Sequence, residues 1–588
     1  MHPFAVWAPL RRLVRVEVKG IRHEMEPREH GWWYAAIDEA EHGSDYLFYL
    51  DDDPKGYPDP RSPWQPHGVH GPSRVFDPSR FQWTDHSFQP VKLPEAVIYE
   101  LHVGTFTPEG TLAAAEEKLT GLHDLGITHV ELMPVNSFSG DFGWGYDGVT
   151  LFAPQESYDG PQALQHFINA AHSHQLAVLL DVVYNHFGPV GNYTGKFGPY
   201  ITESHHTPWG GAVNLDEDGS TEVRRFFCDN ALMWLREFHF DGLRLDAIQT
   251  FVDRSATYIL EQLSEEVEAL SKQVNRHLVL IAESDLNDPR VVTPRKSAGG
   301  SDPSGYGFDA QWSDDFHHAL KAFLTGQRNG YYSDFGSLAQ VAKSLSSVFV
   351  YDGIYSEHRG CVHGRPAHGI DRNRFLGYLQ NHDQVGNQAH GQRLCALVGL
   401  RMAKVAAALM LTGPFVPMLF QGEEFAASSP FLYFAQHDDP AIARSVFEGR
   451  RREHAHLADA DSVADPGAQS TYETSKLVWA EREVGEHGEM LAWYRSLIEL
   501  RRSTPTLRDG RPENCSVQFD EEAKWLVMKR GAMHLYFNFG SKPVTLSVPD
   551  SSMIVLAIDV DAAIEDGKMR LAGASFVAIS EGSTAPPS

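Results

Sequence analysis

Eight apolar runs of strand length, each followed by a loop and then a helical pattern, recur between residues 96 and 420, and they restrict the chain more than any other feature. The runs are AVIYELHV (96–103), THVELMPV (128–135), LAVLLDVV (176–183), GLRLDAI (242–248), HLVLIAES (277–284), FDAQW (308–312), FLGYLQN (375–381) and FVPMLF (415–420). Most are almost continuously apolar, as strands buried on both faces must be. Helical periodicity covers 112–125, 161–174, 221–238, 252–273, 400–411 and 490–502. Eight such units predict an α/β fold, a TIM (β/α)8 barrel over 91–509 whose long insertions (187–220, 285–307, 326–374 and 422–485) follow strands.

The flanking segments have a different rhythm. In residues 1–90, FAVWAP, LVRVEVKG, WWYAAID and DYLFYLDD alternate apolar and polar residues, which predicts an N-terminal β-sandwich. Residues 510–588 alternate again in WLVMKRG, MHLYFNFG and ASFVAIS, which predicts a C-terminal all-β domain ending in a short disordered tail, EGSTAPPS.

A barrel gathers the carboxyl ends of its strands at one mouth, so polar residues there matter most. In GLRLDAI the two-residue period turns Arg244 and Asp246 to one face and Leu243 and Leu245 to the other. A lone Arg-x-Asp is more often a structural ion pair than a site. Glu283 after the fifth strand and Asp383 after the seventh change that balance, because three acids converging at one mouth repel one another unless the chemistry uses the repulsion. Cleavage of a glycosidic bond uses such a cluster: one carboxylate attacks or stabilises the anomeric carbon, and a second, kept protonated, gives its proton to the leaving oxygen. Arg244 is placed to keep Asp246 ionised. Trp144, Tyr146, His186 and His382 are candidates for stacking on sugar rings and binding hydroxyls, with Asp285 and Trp312 completing the expected substrate-binding set, while Asp181 is positioned to orient other groups.

Charge and composition narrow the partners. Lys and Arg total 50 against 78 Asp and Glu, so the net charge is 50 − 78 = −28, and no dense basic run occurs. That disfavours nucleic acid and anionic membranes and suits an uncharged substrate. Cys228, Cys361, Cys395 and Cys515 form no CxxC, no HExxH occurs, and the pairs His205-His206 and His317-His318 direct adjacent side chains apart. Neither a metal nor a cofactor is therefore expected. No apolar run approaches about eighteen residues, and the first twenty residues lack a signal-peptide core, so a cytoplasmic protein is expected, with a monomer favoured.

DVVYNH (181–186), GLRLDAI (242–248), AESD (282–285) and LQNHDQVGN (379–387) resemble, in order, the four strand-end motifs of the α-amylase superfamily, glycoside hydrolase family thirteen. The resemblance implies a retaining two-step mechanism in which Asp246 is the nucleophile and Glu283 the general acid/base. It also implies that Asp383 clamps sugar hydroxyls in the transition state, that Arg244, His186 and His382 support them, and that Tyr146 in GWGYDG forms an aromatic platform. FAVWAP resembles a carbohydrate-module-like domain that several branches of the superfamily share. GWGYDGVTLFAP, WGGAVN, AESDLNDPR, DAQWSDDFHHAL and QGEEFAASSPFLYF together look most like a trehalose-releasing family within it. That likeness implies cleavage of the α-1,4 bond next to the terminal trehalose unit of maltooligosyl trehalose. A glycogen branching or debranching enzyme is the alternative, and a glycan-binding scaffold the non-enzymatic one. Two departures stand out: Asp246-Ala247-Ile248-Gln249-Thr250 lacks the basic pair that many amylases carry after the nucleophile, and Gln175 occupies a helix-closing position where glycine is expected.

Overall fold

The computed structural model describes residues 2–295, 305–454, 463–559 and 561–581; the tail expected beyond residue 581 lies outside them. Eight parallel strands close into a barrel in chain order: Ile98–Leu101, His129–Leu132, Ala177–Val182, Gly242–Leu245, Val279–Ala282, Ala310–Trp312, Phe375–Tyr378 and Val416–Phe420, with the last pairing on the first. Each falls within one of the eight apolar runs. Ile98, Leu179, Val279, Ile281, Trp312, Tyr378 and Met418 fill the interior as one buried cluster. Leu243 and Leu245 belong to the larger core that also contains the surrounding helices. Arg244 sits in register with Asp181 on one side and Ile281 on the other, so the alternation read from GLRLDAI places it inside the barrel. The fourth strand opens on glycine because a Cβ at Gly242 would lie 2.4 Å from Val279 Cγ2 and 2.5 Å from its carbonyl oxygen.

Two helices depart from the periodicity. The 112–125 pattern divides into Leu112–Glu116 and Leu119–Leu125. The 252–273 pattern forms a helix only over Ile259–Val274. Asp253 explains the late start: its buried carboxylate accepts from the Ile259 N–H at 2.6 Å and pairs with Arg224 at 2.7 Å, which draws the preceding segment out of helical geometry. The helix before the third strand, Gly160–Ser173, closes as expected, with Leu176 N–H bonding back to Ala171 at 2.9 Å, yet Gln175 takes the left-handed turn at φ +60°. A non-glycine residue there costs roughly 1 kcal/mol, partly offset by its own amide, which donates to His172 O at 3.3 Å.

Before the barrel, His2–Trp7 pairs with Trp32–Ile37 in one sheet, and Val14–Val18 pairs with Ile21–Glu24 and Asp45–Leu50 in a second. Val14, Val16 and Val18 are buried while Arg15 and Glu17 are not, the half-buried pattern their alternation predicts. After the barrel, a five-stranded sheet runs from Ser516–Asp520 to Ser552–Ala557, beside a three-stranded one.

The segment joining the first sheets to the barrel is fastened at the opposite end from the strand termini. Asp85, almost fully buried, accepts from His172, His239 and Arg276, each at 2.8 Å, and His172 bridges onward to Asp241 at 2.9 Å. Burial opposes the charge on Asp85, but the two imidazoles and the guanidinium outweigh it and hold the carboxyl well below the usual range. Asp85→Ala removes the acceptor shared by His172, His239 and Arg276 and leaves Asp241 alone to balance the buried guanidinium, and is expected to cost about 3–5 kcal/mol. Urea unfolding measures the loss; a midpoint within error of the parent would refute the role.

Candidate active site

The site is built around Arg244, which is inaccessible to solvent and lies over the Trp312 ring at 4.1 Å. Its Nη1 donates to Asp181 at 2.6 Å and to Asp246 at 3.0 Å, and its Nη2 stands 2.9 Å from Glu283 Oε2. One cation thus serves carboxylates from the ends of the third, fourth and fifth strands. Asn185 donates a further hydrogen bond to Asp246 Oδ2 at 2.8 Å. Ala247, immediately past Asp246, takes φ +40°, a conformation costing of order 1–3 kcal/mol for a residue with a Cβ. In that turn its N–H points at Glu283 Oε2, 2.8 Å away.

On the opposite side, Asn381 caps the short helix His382–Gly386 that carries Asp383. His382 Nδ1 meets Glu100 of the first strand at 2.5 Å, and its Nε2 lies 3.6 Å from Asp383. Gly386 lets this helix approach Trp144, since a Cβ there would fall 2.0 Å from the indole ring. Trp144 is further held by its Nε1 on Leu432 O at 2.9 Å. Tyr146 stacks on the His382 ring with centroids 5.0 Å apart, and its hydroxyl donates to Asp181 at 2.5 Å. His186 bridges Asn185 and the Tyr146 carbonyl at 2.9 and 3.0 Å.

These groups open onto a cavity of about 360 Å³ lined by Trp144, Tyr146, His186, Asp246, Glu283, His382 and Asp383. Burial raises the Glu283 carboxyl; Arg244 pulls it down, Asp246 and Asp383 push it up, and it settles at about 7. Burial also raises Asp246, against the pull of Arg244 and Asn185. Asp246 has the better-aligned guanidinium contact together with the Asn185 amide, so of the two Glu283 is the one that retains a proton near neutrality. For His382, burial disfavours the charged form, but Glu100 and Asp383 overcome it and raise the imidazole to about 9. The cavity therefore presents a charged carboxylate, a protonated carboxyl group and a cation beside a third acid, an arrangement able to hold positive charge at one point and donate a proton at another.

Two expected substrate-binding residues are not brought to the cavity. Trp312 is buried beneath Arg244, where its ring supports the guanidinium. Asp285 turns away and pairs with Arg359 at 2.9 Å, because the hairpin from Asp352 to Gly364 crosses there and its His363 also bonds the Asp285 carbonyl. Other groups were not singled out from the sequence. Glu100 could have been suspected as an acid on the inward phase of an apolar run. Trp209, half exposed, stacks on His186 at 4.5 Å and lines the cavity from the hairpin Ile201–Val213; its motif WGGAVN entered only as part of a resemblance, with no role given to the tryptophan. Among the described residues, no group of three or more His, Cys, Asp or Glu side chains is placed to hold a metal ion. No helix among them is long and apolar enough to cross a membrane.

Comparison with known proteins agrees with this geometry. The alpha amylase catalytic-domain family profile matches residues 75–204. A malto-oligosyltrehalose trehalohydrolase from Rhizobium sp. (strain M-11) is 46% identical over 96% of this chain and 95% of its own length. The protein of that name from Mycobacterium tuberculosis is 45% identical over 98% of each chain. A solved structure from Salmonella typhimurium, assigned to the alpha amylases, superposes with a TM-score of 0.89 at 35% identity, covering 98% of this chain and 97% of that one. A 1,4-alpha-glucan branching enzyme from Vibrio parahaemolyticus matches less, at 30% identity over 55% of this chain. With eight parallel strands, an arginine shared by three strand-end carboxylates, and relatives similar over nearly its whole length, the chain belongs to the malto-oligosyltrehalose trehalohydrolase family of the α-amylase superfamily.

Proposed function

We propose that this protein is a retaining glycoside hydrolase that cleaves the α-1,4 bond adjacent to the terminal trehalose unit of maltooligosyl trehalose, releasing trehalose and a maltooligosaccharide. The observation that carries the reading is the grip of Asp246 and Glu283 on the two ends of one guanidinium, with Glu283 also bonded to the residue after Asp246. Both carboxyl groups thus meet one cation, which suits a nucleophile working beside a proton donor.

In the first step an Asp246 oxygen attacks the anomeric carbon as the bond to the glycosidic oxygen breaks, and Glu283 gives that oxygen its proton, so trehalose leaves neutral. In the second, the Glu283 carboxylate takes a proton from water, the water oxygen displaces Asp246, and both groups return to their starting states. Asp383, beside the charged His382, is suited to accept hydrogen bonds from hydroxyls of the attacked sugar, with Tyr146 beneath its ring. Arg244 keeps Asp246 ionised and oriented. We assign the protein to the cytoplasm as a monomer.

Product analysis tests the reading. Incubation with maltooligosyl trehalose is expected to yield free trehalose, and incubation with amylose no new branch points. Branches without trehalose would establish the branching alternative; binding of glucan without any cleavage would establish the scaffold.

A further inference from the structure

We propose that Lys321 is a positioning residue for Asp383: from the helix after the sixth strand it holds the short helix that carries this carboxylate. The inference rests on the assignment of Asp383 as the clamp on the attacked sugar. Lys321 belongs to the helix Asp314–Thr325, does not line the cavity, and is only 4% exposed. Burying an ammonium group is costly, and a lysine in such a place is ordinarily paired with an acid. Among the described residues Lys321 forms no ion pair. Its Nζ donates to Gln384 O at 3.1 Å and lies 4.9 Å from the centre of the Tyr332 ring, whose hydroxyl donates to the Gln384 side chain at 2.8 Å. Burial pulls the amino group down to about 7. Amine and ammonium both donate to a carbonyl, so the bond outlasts the charge.

What the bond does follows from its acceptor. The helix His382–Gly386 spans five residues, too few to hold itself by its own ladder, and its last carbonyls need partners from outside. Asn387 N–H bonds Asp383 O at 2.9 Å and Gln388 N–H bonds Val385 O at 3.2 Å, which passes over Gln384 O. Two side chains meet that carbonyl instead, Lys321 and, at 2.9 Å, the amide of Gln388. Of the two, only Lys321 comes from another element. Arg450 reaches the neighbouring Gly386 O at 3.1 Å, but from the helix Pro440–Glu453, which has no buried residue, whereas Lys321 stands in the layer of helices around the barrel. Asp383 itself is held by Asn387 Nδ2 at 3.1 Å and lies 3.6 Å from His382 Nε2. Both partners ride on the same segment, so the place of the carboxylate in the cavity follows the place of the helix. Glu100 fixes one end of it through His382, and Lys321 fixes it beyond Asp383.

The test separates position from stability. Methionine keeps much of the length of lysine, lacks the donor, and removes the cost of a buried ionisable group. Lys321→Met is therefore expected to melt at or above the temperature of the parent while kcat falls roughly tenfold and KM stays within about twofold, because the displaced contact is one made in the transition state. The fall should be the same on maltooligosyl trehalose and on α-maltotetraosyl fluoride, which present the same kind of attacked sugar and differ in the leaving group. In an Asp383→Asn background the Lys321 substitution should add less than about twofold, since the route through Asp383 is already lost. A parent-like kcat, a change in KM alone, a loss confined to one substrate, or a full tenfold loss in the Asp383→Asn background overturns the proposal. If the methionine variant does not fold, Lys321→Gln carries the same comparisons. Should the parent release no trehalose, the functional assignment fails, while kcat and KM on the fluoride still decide the role of Lys321.

Discussion

Asp246→Asn is expected to lower kcat on maltooligosyl trehalose by about 10⁴-fold or more while the barrel stays folded. The substitution preserves shape but removes the charge that attacks the anomeric carbon. It also leaves the Arg244 guanidinium paired with Asp181 and in contact with the Glu283 carboxyl group, so the cation keeps a counter-charge and no buried ion is stranded. Loss of activity should therefore far exceed loss of stability. A slowly turned-over fluorinated glycosyl fluoride makes the chemistry visible: the parent accumulates a covalent glycosyl adduct on Asp246, seen as a mass increase and located by peptide mapping, and the variant accumulates none. An adduct on the variant, or turnover within tenfold of the parent, would remove Asp246 from the nucleophile's place.

The second large effect concerns Glu283. Glu283→Gln should cost about 10²–10⁴-fold on substrates whose leaving group needs a proton, the usual range for one positioned general acid. Glycosyl fluoride should lose much less in the first step, because fluoride departs without protonation. The pH dependence has a definite sign. With its carboxyl raised to about 7, Glu283 holds its proton below that pH and loses it above. A group needed as the acid then makes the kcat/KM of the parent level on the acidic side of about 7 and declining above it, by about tenfold per pH unit. Glutamine cannot titrate, so the variant should lack this decline. An alkaline limb of the same midpoint in the variant would place the titrating acid elsewhere.

Both predictions depend on an arrangement only partly legible in the chain. The two-residue alternation in GLRLDAI turns Arg244 inward, and the eight runs of strand length make a barrel whose mouth must gather Asp246, Glu283 and Asp383. What local pattern does not contain is the pairing. His382 meets Glu100 across 282 positions of sequence because the strand before His382 lies one strand from the closing edge, where the eighth strand joins the first. Trp312 and Asp285 show the converse. Both lie at strand ends, as the active groups do, yet one is taken up supporting Arg244 and the other by an ion pair to Arg359, a residue supplied by a distant hairpin.

By itself, then, the sequence determined the elements and the faces: apolar runs too short for helices and too uniform for exposed strands have to be buried on both sides, and the side-chain period of a strand settles which residues look inward. Only the tertiary structure decided the electrostatics. A carboxylate's charge depends on what surrounds it within a few ångströms, and at this site those neighbours come from different strands that meet only when the barrel closes. Closure sets one buried guanidinium among three acids and leaves Glu283 holding a proton.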